Sequence, residues 1–270
     1  MPFKIRSEFM LNLFTVAAVV SAVSSLGNLT VIGDSIASGY GLPGYVSGDD
    51  YSAPGSFGSI LSGEAEDYAN LAVDGRKSGE LLAALSDGEM ADAVSAADNV
   101  VISIGGNDFL KPLFSAVKKE AITDTTIIQA ILDGTFKAEM ISEYTNRIMN
   151  AALSAGEEVD AAAIVDNIRQ ITERIHELNP EAKIVLLTVY NPFNGNVLLS
   201  AAGRVADEKL AELNNGIKSL ESDYTAIADI YEAFRGKEAQ TTNINKLDIH
   251  PNSEGHIIIG TEVKKALLKS

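Results

Sequence analysis

The chain has 270 residues, 21 of them Lys or Arg and 37 Asp or Glu, for a formal net charge of −16. A composition of 46% hydrophobic and 21% charged residues excludes a disordered chain, and the absence of Cys excludes a disulfide scaffold, a cysteine zinc site, an iron–sulfur cluster and a thiol nucleophile. The acidic balance, with no Lys/Arg-rich run, disfavours nucleic-acid binding, because phosphate contact relies on a basic surface.

Residues 10–29 carry no charge, and Lys4 and Arg6 precede them. A basic start, an apolar stretch from Leu11 to Val20 and a small-residue site at Val20-Ser21-Ala22 read as a secretory signal over residues 1–25. The competing readings are a transmembrane anchor and an N-terminal helix packed on the domain. Asn12, Thr15 and the serines Ser21, Ser24 and Ser25 dilute the stretch and weigh against the anchor. The expectation is therefore export, or a cytoplasmic protein if the segment is not a signal, with no stable membrane insertion.

From there strands and helices alternate. Leu29 to Ile32 is an apolar run ending at Gly33 and reads as a buried strand. Phe57 to Ala65 reads as a helix, Asp67 to Ala69 as a second strand, and Ser78 opens another helix for which it is a candidate N-cap. Asn99 to Ile104 is a third strand, ending in Gly105-Gly106. Lys111 to Glu158 is mostly helical and longer than an ordinary crossover, so it is either a cap over a site or extra packing. From Ala163 to Leu178 the residues Ile164, Ile168, Ile171, Ile175 and Leu178 form the stripe of an amphipathic helix, closed by Asn179-Pro180. Lys183 to Val189 and Tyr224 to Ile230 are the fourth and fifth strands, and a last helix starts near Ser253. Continuous apolar strands separated by helices imply an α/β fold with a parallel sheet covered on both faces. No repeat or linker interrupts it, so residues 26–270 read as one domain with a helical insertion at about 111–158.

In such sheets ligands sit beyond the carboxyl ends of the strands. The polar residues there are Asp34 and Ser35, Asn70, Asn107 and Asp108, with Asp248 and His250 on a late loop. Each alone has a structural explanation: Asp34 or Ser35 as a helix cap, Asn70 in a turn, Gly105 to Asp108 as a loop needing positive φ, His250 as a loop histidine. Together they supply a hydroxyl, an imidazole and amide donors on loops that open on one sheet edge, which is what acyl transfer requires.

The set, in this order, resembles the GDSL esterases and lipases, or SGNH hydrolases. The matching blocks are Gly33-Asp34-Ser35-Ile36, Asn70-Leu71-Ala72-Val73-Asp74-Gly75, Gly105-Gly106-Asn107-Asp108 and Asp248-Ile249-His250-Pro251-Asn252. Tyr190-Asn191-Pro192-Phe193 is similar to a lysophospholipase-like bacterial branch. The resemblance implies a three-layer, flavodoxin-like, five-stranded parallel sheet and a serine esterase or lipase. It implies Ser35 as nucleophile, His250 as base, Asp248 as the group that orients it, and an oxyanion hole from the N–H groups of Ser35 and Gly75 and the amide of Asn107. In the family the Asp stands three residues before the His. Here Leu247 holds that position and Asp248 is two before, so either Asp248 reaches the ring from a turn or a backbone carbonyl substitutes and leaves a dyad. Asp34 reads as a structural acceptor, and His176 and His256 as structural.

Gly39 to Gly44 fits G-x-G-x-x-G but begins seven residues after Ile32 and reads as a loop rather than a dinucleotide site. With three His and scattered carboxylates, no metal site and no cofactor are expected. The expected partner is a small-molecule, polysaccharide or lipid ester. A non-catalytic carbohydrate- or ligand-binding protein on the same fold is the alternative, and the oligomeric state stays open.

Overall fold

The structure, a computed structural model, describes residues 26–47, 52–86, 88–123, 129–130, 133–135 and 137–269. The expected signal segment lies outside the described residues, as does part of the stretch between Lys111 and Glu158. Five strands, β1 (Asn28–Gly33), β2 (Asp67–Asn70), β3 (Asn99–Ser103), β4 (Lys183–Leu187) and β5 (Thr225–Ala228), form one parallel sheet in the order β2-β1-β3-β4-β5. The order places β1 and β3 side by side at the centre, with Gly33 opposite Ser103.

Strands β1, β3 and β4 read as largely apolar runs because both faces of the sheet are covered there. Alternate residues serve different cores: Ile32, Val100, Ile102, Ile184 and Leu186 on one face, Val31, Val101, Val185 and Leu187 on the other. The first face packs against α3 (Ser78–Ala84), α4 (Glu89–Ser95) and α7 (Ala161–Leu178), and its core continues into α5 (Gly106–Thr123), α6 (Ala138–Glu157) and α8 (Ser200–Lys218). The second packs against α2 (Phe57–Ser62), α9 (Ile230–Phe234) and α11 (Ser253–Leu268). The remaining short helices are α1 (Ser35–Ser38) and α10 (Glu238–Thr241).

Helix α7 starts two residues before the expected Ala163 because Asp160 caps it, its carboxylate accepting the Ala163 N–H at 2.9 Å. Helix α2 stops at Ser62, with Gly63 as its cap, rather than running to Ala65. Ser78 is not an N-cap but the first helical residue, fully buried. Its N–H and hydroxyl both donate to Asp108, in the first turn of α5, at 3.0 and 2.9 Å. Among the described residues no helix is long and apolar enough to cross a membrane.

Of the stretch from Lys111 to Glu158 the described residues hold most of α5 and all of α6, and these two helices do different things. Helix α6 packs on α5 and α8, whereas one side of α5 forms a wall of the cleft described below. His176 stacks on Tyr224 with ring centroids 4.0 Å apart. His256 is fully buried, and its Nδ1 accepts the Phe57 N–H at 3.3 Å. Burial, and then the charge of His250, push its pKa down to about 4, so it is a neutral core residue.

Candidate active site

Strand β1 ends in Gly33 at φ 147°, where an added Cβ would lie 2.1 Å from the Ser103 carbonyl oxygen. Only glycine lets β1 pass this close to β3, and the next residue is tied across by the Asp34 N–H to Ser103 carbonyl bond of 3.1 Å. Asp34 then caps α1, its Oδ1 accepting the Ile36 N–H at 3.0 Å. Ser35 is therefore the first residue of a helix that starts at a strand's carboxyl end. Its N–H has no intrahelical acceptor.

His250 arrives from the loop before α11. Its Nε2 lies 3.0 Å from Ser35 Oγ, and its Nδ1 lies 2.5 Å from Asp248 Oδ1. An ionised carboxylate can only accept, so Nδ1 carries the proton and Nε2 is left to accept from the serine hydroxyl. Asp248 stands two residues before His250 and still meets the ring because the same Oδ1 accepts the His250 backbone N–H at 3.1 Å, closing an Asx turn. Leu247 makes that turn reachable by adopting the left-handed conformation, φ 55°. Burial alone would raise the Asp248 pKa, but the hydrogen bonds from the His250 ring and backbone, with the His250 and Lys118 charges, hold it below the ordinary carboxylate value.

The loop itself is held from behind. The Tyr190 hydroxyl donates to the Ile249 carbonyl at 2.7 Å, the Asn243 N–H donates to the His250 carbonyl at 2.9 Å, and Thr242 forms an isolated antiparallel bridge with Pro251. Tyr190 is buried, so its pKa is raised well above 10 by burial and by the Asp34 and Asp248 charges, and it stays a donor. Tyr40 packs its ring on His250, centroids 4.5 Å apart.

Ser35 and His250 open into a cleft of about 590 Å³, which Gly75 and Asn107 also line. Gly75 has φ 77°, and among the described residues its N–H finds no acceptor. The Asn107 amide donates to the Arg76 carbonyl at 3.1 Å and lies 3.4 Å from Asp34 Oδ2. Asp34 is 1% exposed, and burial pushes its pKa from the ordinary 3.8 to about 7.

The structure thus brings five of the sequence-derived site residues, Ser35, Gly75, Asn107, Asp248 and His250, into one cleft. It sends Asn70 and Asp108 elsewhere. Asn70 bonds the Ala37 carbonyl and the Ala72 N–H, and Asp108 holds Ser78. Sequence reading missed the far wall, Lys111, Phe114, Ser115 and Lys118 of α5. The pair Lys111 and Lys118, seven apart and hence on one helix face, was the available signal. Among the described residues no group of three or more His, Asp or Glu is arranged to hold a metal ion.

The profile of the GDSL-like lipase/acylhydrolase family matches residues 31–258. The uncharacterized YpmR of Bacillus subtilis is 27% identical over 248 residues, 89% of this chain and 81% of that protein. The spore germination lipase LipC of Bacillus licheniformis is 23% identical over 245 residues, 88% of this chain and 94% of that protein. The crystal structure of phospholipase A1 from Streptomyces albidoflavus superposes with a TM-score of 0.64 at 17% identity, over 90% of this chain and all of that one, a likeness of fold. With most of its length matched by that profile, the chain belongs to the GDSL-like lipase/acylhydrolase family.

Proposed function

We propose that this protein is a serine hydrolase of carboxylic esters. The observation that carries this reading is the relay Ser35 Oγ to His250 Nε2 at 3.0 Å and His250 Nδ1 to Asp248 at 2.5 Å. Ser35 Oγ attacks the ester carbonyl carbon as its proton passes to His250 Nε2. Asp248 fixes the tautomer that leaves Nε2 open and stabilises the imidazolium once it forms.

The negative charge that develops on the carbonyl oxygen meets the N–H groups of Ser35 and Gly75. The Asn107 amide adds a third donor by giving up its long contact with Asp34. Such donors are effective because they are fixed before the charge appears, and each contributes about a hundredfold or more in rate. The imidazolium then protonates the leaving alcohol, and water, activated by the same ring, hydrolyses the acyl-Ser35 ester. Residues 26–270 act as one domain in this reading, and export with removal of residues 1–25 suits an ester substrate outside the cell.

Ser35→Ala tests the reading directly. It is expected to lower hydrolysis of a short nitrophenyl ester by about ten-thousandfold and to abolish fluorophosphonate labelling. Circular dichroism should be unchanged. A folded Ser35→Ala protein that turns the ester over at the wild-type rate overturns the proposal.

A further inference from the structure

The backbone donors of the hydrolase reading come from separate segments, Ser35 from α1 and Gly75 from the loop that follows β2. The sheet registers that loop only part of the way. Beyond the last paired residues, Val31 and Asn70, the Leu71 N–H donates to the Val31 carbonyl at 2.9 Å and the Val73 N–H to the Gly33 carbonyl at 3.1 Å. Among the described residues no backbone hydrogen bond ties Asp74 or Gly75 to β1 or α1. The ladder thus ends two residues short of the Gly75 N–H.

A side chain takes over where the ladder stops. Asp74 stands next to Gly75, and its Oδ1 accepts the Ser38 hydroxyl at 2.7 Å. Ser38 is buried in α1, three residues after Ser35, and its hydroxyl also lies 3.1 Å from the Ser35 carbonyl. A hydroxyl has one proton, and the shorter, charge-assisted bond to the carboxylate is the stronger of the two. The other carboxylate oxygen, Oδ2, accepts the Tyr45 hydroxyl. The Tyr45 ring packs edge-on against Tyr40, centroids 5.2 Å apart, and Tyr40 lies on His250. Burial and the bond to Asp74 raise the Tyr45 pKa, so it stays a donor. Asp74 is itself exposed and adds little to the core; what its bonds join is the Gly75 loop and the helix of Ser35. On the other side of Gly75, the Arg76 carbonyl accepts the Asn107 amide at 3.1 Å, and the Arg76 guanidinium donates to the Leu71 carbonyl at 2.9 Å. The loop carries one donor and orients another, so a shift of the loop against α1 moves both.

Resting on the hydrolase reading above, we propose that Asp74 is a positioning residue of the oxyanion hole. By gripping Ser38 it holds the Gly75 N–H, and with it the Asn107 amide, in register with the Ser35 N–H. A carboxylate can only accept, so Asp74 serves no oxyanion itself; it acts through the loop. Misplacing a group by about 1 Å costs up to about a hundredfold in rate, so the tie acts on kcat rather than on substrate binding.

The test measures kcat and KM for 4-nitrophenyl acetate, and the Ki of a trifluoromethyl ketone, which captures a serine hydroxyl as an oxyanion adduct. The proteins are wild type, D74A, D74N, S38A and D74A/S38A, with S35A as control. D74A is expected to lower kcat by about tenfold or more with KM within about twofold and the thermal midpoint near wild type. D74N, which keeps an acceptor for the Ser38 hydroxyl, stays within about threefold. The double variant loses no more than D74A alone, because both changes remove one tie. The ketone's Ki rises by the factor by which kcat/KM falls, as an effect on the oxyanion requires. S38A changes a buried residue, so if it does not fold the exposed Asp74 decides the matter in D74A. A D74A protein with wild-type kcat, a loss confined to KM, a double variant whose loss is the product of the single losses, or an unmoved Ki overturns the proposal and leaves the hydrolase reading intact. If folded wild type hydrolyses no ester, or S35A does so at the wild-type rate, both fall.

Discussion

The two halves of the candidate site are positioned by different means. Ser35 sits where the central strand runs into a helix, and the sheet itself sets its place: Gly33 is pressed against Ser103 by parallel pairing, and Asp34 is bonded to the same residue. His250 sits on a loop with no regular partner strand. Its place depends on separate ties, the Tyr190 hydroxyl, the Asn243 N–H and the Asx turn of Asp248. The serine is thus fixed by elements that also hold the core together, and the histidine by polar ties that can be altered one at a time. Damage on the serine side should appear as lost stability, and damage on the histidine side as lost rate.

The largest expected effect is on the serine side. Gly33→Ala places a methyl 2.1 Å from the Ser103 carbonyl oxygen at a φ of 147°, and neither backbone can yield without breaking the β1–β3 ladder. The substitution is expected to cost more than about 4 kcal/mol in urea unfolding, or to prevent folding, as clashes and backbone strain in a central strand do. A folded variant of near-wild-type stability would show that the serine frame is as adjustable as the histidine loop.

A smaller effect sharpens the same contrast through pH. Asp34 titrates near 7 in the folded protein against 3.8 unfolded, so its neutral form is the one the fold favours. That contribution is complete below about pH 3.8 and is lost as pH rises through about 7. His256 runs the other way. Its folded pKa of about 4 lies below the ordinary 6.5, so its contribution is complete above 6.5 and is lost as pH falls toward 4. In wild type the two slopes oppose each other between about pH 4 and 7. Asp34→Asn keeps an acceptor for the Ile36 N–H and removes one slope, so the variant's stability should rise with pH across that window by up to about 1.4 kcal/mol per unit. Denaturant midpoints measured at several pH values decide it; a variant curve parallel to wild type would mean that Asp34 does not titrate in this range.

Much of this was legible in the sequence, and the reasons are physical. Buried parallel strands are largely apolar runs, which made β1, β3 and β4 readable, whereas the edge strand β2, Asp67–Asn70, is partly exposed and gives a weaker signal. The candidate residues that share the cleft were readable as a group because a parallel sheet gathers its strand ends on one edge. Helix α8 escaped notice because the residues that face the core include Ala201, Ala202, Gly203 and Ala206, small enough that Gly203 takes the Asn194 side chain against it. The second half of α8, with Val205, Leu210, Leu213 and Ile217 buried, does carry an apolar stripe and could have been read. Ser78 was misread because a buried serine before a helix looks like a cap, whereas here the acceptor comes from Asp108, thirty residues away in sequence. The reach of Asp248 was one of two alternatives that the sequence left open. It depends on a leucine in the left-handed region, which local preference argues against.

That leucine supplies the smallest test. Leu247 spends roughly 1–2 kcal/mol of conformational energy to turn Asp248 toward His250. If the backbone conformation rather than the side chain positions the carboxylate, Leu247→Asn should preserve it, because Asn tolerates φ near 55° by bonding locally. Leu247→Val, β-branched and harder to hold there, should rotate Asp248 away from Nδ1. The expected cost in kcat/KM is within about threefold for Asn and about tenfold or more for Val, with the thermal midpoints of the two variants nearly equal. Equal losses in both would mean that the leucine side chain, packed at the cleft's edge, holds the loop. The histidine's half of the site would then resemble the serine's half, fixed by packing rather than by a turn.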